Sequence, residues 1–137
     1  MKKLSALFLL VSTFFYSQKF KIDTLLNDKI SIRAIQLWDG KVWYAGTDSK
    51  FGFVNMNNKA DKKQIVISQK PLQFRTLAQN KKHFYAINIE SPAYFFQIDK
   101  KTLEFNVVFN DNDSTAFYDA FKFVDNDFGI AFSDPTK

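Results

Sequence analysis

The chain contains two arginines, Arg33 and Arg75, 42 residues apart, each directly after a large apolar residue, Ile32 and Phe74. A guanidinium presents a planar fork of N–H donors suited to carboxylates. Such a pair either locks neighbouring elements together through a carboxylate or carbonyls, or presents charge to a partner or ligand. Glycoside hydrolysis needs two carboxyl groups, and the only candidates framed by these arginines are Asp119 and Asp134. Asp125-x-Asp127-x-Gly129 and Asp111-x-Asp113 suggest calcium, but a calcium loop has its glycine at position six and a glutamate at twelve. Here Gly129 stands at five and no glutamate follows, so these aspartates are expected to be turn residues. His83, the one histidine, follows Lys81 and Lys82 with no nearby carboxylate cluster, and is expected in an exposed turn. No Gly-rich phosphate loop, G-x-S-x-G elbow or H-E-x-x-H is present. No catalytic residue, cofactor or metal site is therefore assigned.

The elements that position these residues recur. Segments opening at Ile32, Phe74 and Phe117, spaced by 42 and 43 residues, each run through a short apolar strand into a polar turn. The turns are Trp38-Asp39-Gly40-Lys41, Gln79-Asn80-Lys81-Lys82 and Asp125-Asn126-Asp127, and each leads into a second strand containing an alanine (Ala45, Ala86, Ala131). Further strands are expected at 51–54, 64–67, 94–98 and 105–109, separated by Gly/Ser/Asp, Asn/Lys and Pro-containing turns. A four-stranded unit repeating at about 40–45 residues is the period of a propeller blade. The expected fold is all-β, a partial β-propeller of about two and a half four-stranded blades, near 32–73, 74–116 and 117–137. Tyr118 is expected to take the arginine's place in the third blade. Seventeen phenylalanines, five tyrosines and two tryptophans suit strands and supply buried area.

Residues 1–17 carry Lys2 and Lys3, an uncharged apolar run from Leu4 to Phe15, then Ser17 and Gln18, the order of a secretory signal peptide. The run is shorter than the about 20 apolar residues a membrane span takes. The mature chain, 18–137, is expected to be secreted or periplasmic, without a membrane span. It carries 17 basic and 14 acidic residues once Lys2 and Lys3 are removed. Its lysines are scattered or paired at turns (Lys62-Lys63, Lys81-Lys82, Lys100-Lys101), so they read as solvated turn residues and nucleic acid is not an expected partner. The absence of cysteine removes disulfides and thiolate chemistry, leaving packing alone to hold the fold.

Ile32-Arg33-Ala34, Phe74-Arg75-Thr76, the Glu90-Ser91-Pro92-Ala93 bend, Phe117-Tyr118-Asp119-Ala120 and Gly129 to Pro135 resemble the photosystem II assembly/stability factor-like propellers, relatives of the sialidase-type Asp-box repeat proteins. The resemblance covers about Ser31 to Pro135. It implies an exported propeller of about seven blades, of which this chain would be a fragment or truncated product. It also implies a non-catalytic module that binds or assembles exported proteins. The alternative it carries is a fragment of an exported enzyme, oxidoreductase-labelled or glycosidase-like, with its active site in other blades. Asp-box hairpins are eroded to Asn55-Met56-Asn57-Asn58-Lys59 and to Asp99 through Phe105, with Phe105 expected in the socket of the motif's tryptophan. Open blade edges make self-association possible in principle.

Overall fold

The computed structural model describes residues 21–113 and 115–134. The expected leader, 1–17, and Pro135 of the closing motif lie outside the described residues. Ten strands form three antiparallel sheets among those described, with no helix. Sheet I joins β1 (Ile32–Trp38), β2 (Lys41–Gly46), β3 (Lys50–Asn55) and β4 (Lys62–Val66) in sequence order. Sheet II joins β5 (Phe74–Gln79), β6 (His83–Asn88), β7 (Ala93–Asp99) and β8 (Phe105–Asp111) in the same way. Sheet III is the hairpin of β9 (Phe117–Phe123) and β10 (Gly129–Asp134). The sheets stack through their first strands, β1 beside β5 and β5 beside β9.

Turn chemistry accounts for the strand ends. Asp39 and Gly40 both take positive φ, 52° and 68°, and Trp38 pairs with Lys41 across them. This is the two-residue turn whose twist suits a hairpin, and Asp-Gly is its strongest sequence signal. At four other hairpins one Asn or Asp side chain accepts from the backbone N–H groups two and three residues on. Asn55 takes Asn57 and Asn58, Asn80 takes Lys82 and His83, Asp99 takes Lys101 and Thr102, and Asp125 takes Asp127 and Phe128. The turn role expected of Asp125 is what the chain displays. These amides hold the Asp99 and Asp125 carboxyls below the ordinary 3.8.

Asn88 fixes the bend between β6 and β7. Buried completely, its amide donates to the Glu90 and Pro92 carbonyls at 3.0 and 3.2 Å, while its oxygen accepts from the Tyr94 N–H at 2.6 Å. The Glu90 carboxylate in turn accepts from Gln73 N–H at 2.9 Å, tying the bend to the chain entering β5.

The core lies between sheets I and II. Trp43, Phe51 and Phe53 of sheet I meet Phe84, Phe96 and Ile98 of sheet II, with Trp43 and Phe84 ring centroids 4.7 Å apart. Lys100 closes this junction. Only 6% exposed, its ammonium donates to Gln79 Oε1 and the Asn80 carbonyl, both at 2.7 Å, and lies about equally over the Trp38 and Phe84 rings. The expectation that the Lys100-Lys101 pair is solvated is thus overturned for Lys100: two carbonyl oxygens and two aromatic faces replace its water. Burial pushes its pKa down from 10.5. Between sheets II and III the contact is lighter, Tyr85 against Phe121 and Phe123, and Phe95 against Tyr118.

Two further expectations are corrected. Phe105 is 45% exposed on the outer strand β8, and it is Leu103 that packs against the core at this hairpin. The three alanines are not equivalent. Registers pair Ala34 with Ala45, Thr76 with Ile87, and Ala120 with Phe132, so Ile87 and Phe132 occupy the place of Ala45. A one-residue offset carries a side chain to the opposite face of a sheet. Ala45 accordingly lies on the face of sheet I turned to sheet II, whereas Ala86 shares a face with Phe96, turned back towards sheet I.

Tyr118 bears a checkable load. Its hydroxyl donates to Asp111 Oδ2 at 2.7 Å, and that carboxylate, first among the causes, pushes the phenol up to about 12. The folded chain keeps this proton where the unfolded chain, near 10, has lost it. Stability from this group is therefore complete below pH 10 and is lost as pH rises from 10 towards 12. Tyr118→Phe is expected to flatten that part of the alkaline unfolding profile, measured by circular dichroism.

Candidate functional site

Each first strand has a β-bulge near its start. The registers skip Arg33 between Ile32 and Ala34, Arg75 between Phe74 and Thr76, and Asp119 between Tyr118 and Ala120. A bulge carries one unpaired residue and re-aims its side chain. Both arginines of the chain are therefore bulge residues, and the third sheet places Asp119 there, not Tyr118 as the spacing suggested. The extra residue could not be located from spacing, because the openings at Phe74 and Phe117 hide a one-residue shift.

The bulges bring three of the four expected site residues together. Arg75 Nε lies 2.7 Å from Asp119 Oδ1 across the junction of sheets II and III, with the guanidinium carbon 5.6 Å from the centre of the Phe117 ring. Asp119 Oδ1 is shielded from water yet receives no aligned hydrogen bond, so the contact is one of charge proximity. Both side chains stay about one third exposed, which screens the attraction. The neighbouring Asp119 carboxyl, through its side-chain interaction and its charge, pushes the carboxyl of Asp134, last residue of β10, above 3.8, while Arg75 offsets part of that rise. Arg33 stands apart. It is exposed on sheet I and forms no ion pair among the described residues.

A second feature escaped the sequence reading. His83 does not sit in a turn; it opens β6 opposite Asp99, with Nε2 3.9 Å from Asp99 Oδ2 and its side chain 25% exposed. It lines a polar cleft of about 480 Å³ between the hairpin tips of sheets II and III, with Tyr85, Gln97 and Lys82. Tyr85 accepts a hydrogen bond from Gln97 Nε2 at 2.8 Å, and Asn80 Nδ2 donates to the Asn126 carbonyl at 2.9 Å to bridge the tips. The available signal was the alternation His83-Phe84-Tyr85, which puts His83 and Tyr85 on one strand face. Among the described residues no three His, Asp or Glu side chains converge as metal ligands would. No helix among them is long and apolar enough to cross a membrane.

Compared with protein-family models, curated proteins and solved structures, the chain matches none of them.

Proposed function

We propose that this chain is part of an exported, non-catalytic β-propeller module that binds or assembles another exported protein through the face carrying the inner-strand bulges. The observation that carries the reading is the repetition of a charged bulge residue on the first strand of each successive sheet. Sheets joined as sequential meanders and stacked through their first strands support the propeller geometry, in which inner strands surround one axis. The export half of the proposal rests on the leader residues 1–17.

Charge on this face is unevenly spent. Asp119 neutralises Arg75, whereas exposed Arg33 keeps its full guanidinium for a carboxylate brought by a partner. The partner is accordingly an acidic protein segment.

A fluorescent Glu/Asp-rich peptide titrated against the chain at low and high salt tests the reading. Arg33→Glu is expected to weaken binding by at least about tenfold, with a thermal midpoint unchanged because no described residue pairs with it. Binding that is unaffected by Arg33→Glu, or absent from the folded wild-type chain, overturns the assignment.

A further inference from the structure

A cleft of about 460 Å³ opens at the hairpin tips between sheets I and II, both four-stranded, at the end of β1 away from Arg33. Its volume falls within the about 300–1,000 Å³ usual for small-molecule sites. Cross-strand pairing sets Trp43, Phe53 and Lys63 side by side on the face of sheet I turned to sheet II. The segment before β1 runs on the opposite face, where Asp28 lies 3.7 Å from Lys62. Trp38, from the β1–β2 hairpin, and Lys100 with Lys101, from the β7–β8 hairpin, complete the wall. Charge there is lopsided, with four lysines and one aspartate lining the cleft. Lys41 is answered by Asp61 at 3.7 Å and stands 4.1 Å over the Phe53 ring. Lys100 has no such carboxylate. Its ammonium carries three N–H donors. Two are taken by Gln79 Oε1 and the Asn80 carbonyl, and the third has no acceptor among the described residues. Nor does any described carboxylate lie within ion-pair distance of this side chain, although it is only 6% exposed. A buried charge is ordinarily paired with an opposite one.

We infer that this cleft binds a small aromatic carboxylate, its oxygens received by Lys100, Lys63 and Lys101 and its ring by the aromatic wall of Trp38 and Phe53. The carboxylate supplies the counter-charge that Lys100 lacks, and its two oxygens accept charge-assisted hydrogen bonds from more than one ammonium. A flat ring suits the rest of the cleft. Aromatic walls favour a second ring edge-on or offset, and ammonium groups at the rim are attracted to its face. Lys100 already shows that preference, with its charge over the Trp38 and Phe84 rings at 5.0 and 4.9 Å. The inference stands apart from the partner reading, since Arg33 lies at the other end of β1.

Tryptophan fluorescence reads the cleft directly, because both tryptophans of the chain, Trp38 and Trp43, line it. Benzoate, titrated to about 10 mM to reach the weak affinity of so small a ligand, is expected to shift the emission saturably. Benzamide, of the same shape without the charge, is expected to bind at least about tenfold more weakly. Sulfate, an anion without a ring, is expected to bind more weakly than benzoate as well. Lys100→Met is expected to lose the response. Lys63→Gln with Lys101→Gln, changes at exposed positions, is expected to weaken benzoate binding about fivefold or more, and decides the matter should Lys100→Met reduce the β-signal in circular dichroism. Arg33→Glu is expected to bind benzoate as wild type does, which separates this site from the partner-binding face. Emission that benzoate leaves unchanged, benzamide or sulfate that binds as tightly as benzoate, a double lysine variant that binds as wild type does, or loss of binding in Arg33→Glu overturns the inference.

Discussion

Phe84→Ala is expected to cost about 3–5 kcal/mol, the range for emptying a buried aromatic site. Phe84 has no exposed surface and stands where the two four-stranded sheets meet, with ring centroids 4.7 Å from Trp43, 5.6 Å from Phe51 and 6.1 Å from Trp38. None of these neighbours can follow the deleted ring. Trp43 is held by its own contacts to Phe51 and Phe53, and its indole N–H donates to the Trp38 carbonyl at 3.2 Å. The cavity therefore persists, and the loss also strips one aromatic face from Lys100. Against a total of roughly 5–15 kcal/mol for a domain, about a fifth or more of the stability is at stake. Urea unfolding followed by tryptophan fluorescence measures the loss. The midpoint should fall with the slope unchanged, because the surface exposed on unfolding is nearly the same.

Lys100→Ala is expected to cost about 2–3 kcal/mol, an effect no surface lysine would show. Its ammonium is the donor for both Gln79 Oε1 and the Asn80 carbonyl, and its stem and charge lie against Trp38 and Phe84. Lys100→Met tests the division between these roles. It keeps the stem packing but leaves both oxygens without a donor, so most of the cost should remain. The pH dependence has a definite sign. Burial lowers the folded pKa of Lys100 below 10.5, so in the window just below 10.5 the unfolded chain binds the extra proton. Stability from this group alone rises with pH there, opposite in sign to the loss from Tyr118 above pH 10. Comparing Lys100→Met with wild type across that window separates the two.

Legibility in the sequence followed the local character of each signal. Asp39-Gly40 announces its hairpin because the turn needs positive φ at both residues, and the Asx turns at Asn80, Asp99 and Asp125 announce theirs through side-chain capping. Strand order within each sheet followed, since short polar turns leave only neighbouring pairings. The features that were missed depend on contacts distant in the chain. Lys100 resembles any turn lysine until Gln79, Trp38 and Phe84 converge on it from other strands. Spacing alone aligned Ala45 with Ala86, and only the cross-strand pairing shows that they lie on opposite faces. Arg33 and Arg75 were legible as equivalent because each follows an apolar opening. Asp119 was not, because its bulge falls one residue later and its charge is reversed. The meeting of Arg75 with Asp119 and Asp134 was within reach of the sequence only as one pairing among several.

That meeting is also where the account is most directly tested. Carboxyl titration of Asp134 by NMR, in wild type, Asp119→Asn and Arg75→Gln, reports whether bulge residues of adjacent sheets form one cluster. The account predicts an Asp134 pKa above 3.8 in wild type, a fall in Asp119→Asn as the neighbouring charge disappears, and a further rise in Arg75→Gln as the offsetting guanidinium is lost. An Asp134 carboxyl that titrates near 3.8 and ignores both substitutions would contradict it, placing Arg75 away from β9 and β10 and removing the bulge-residue cluster that supports the proposed binding face.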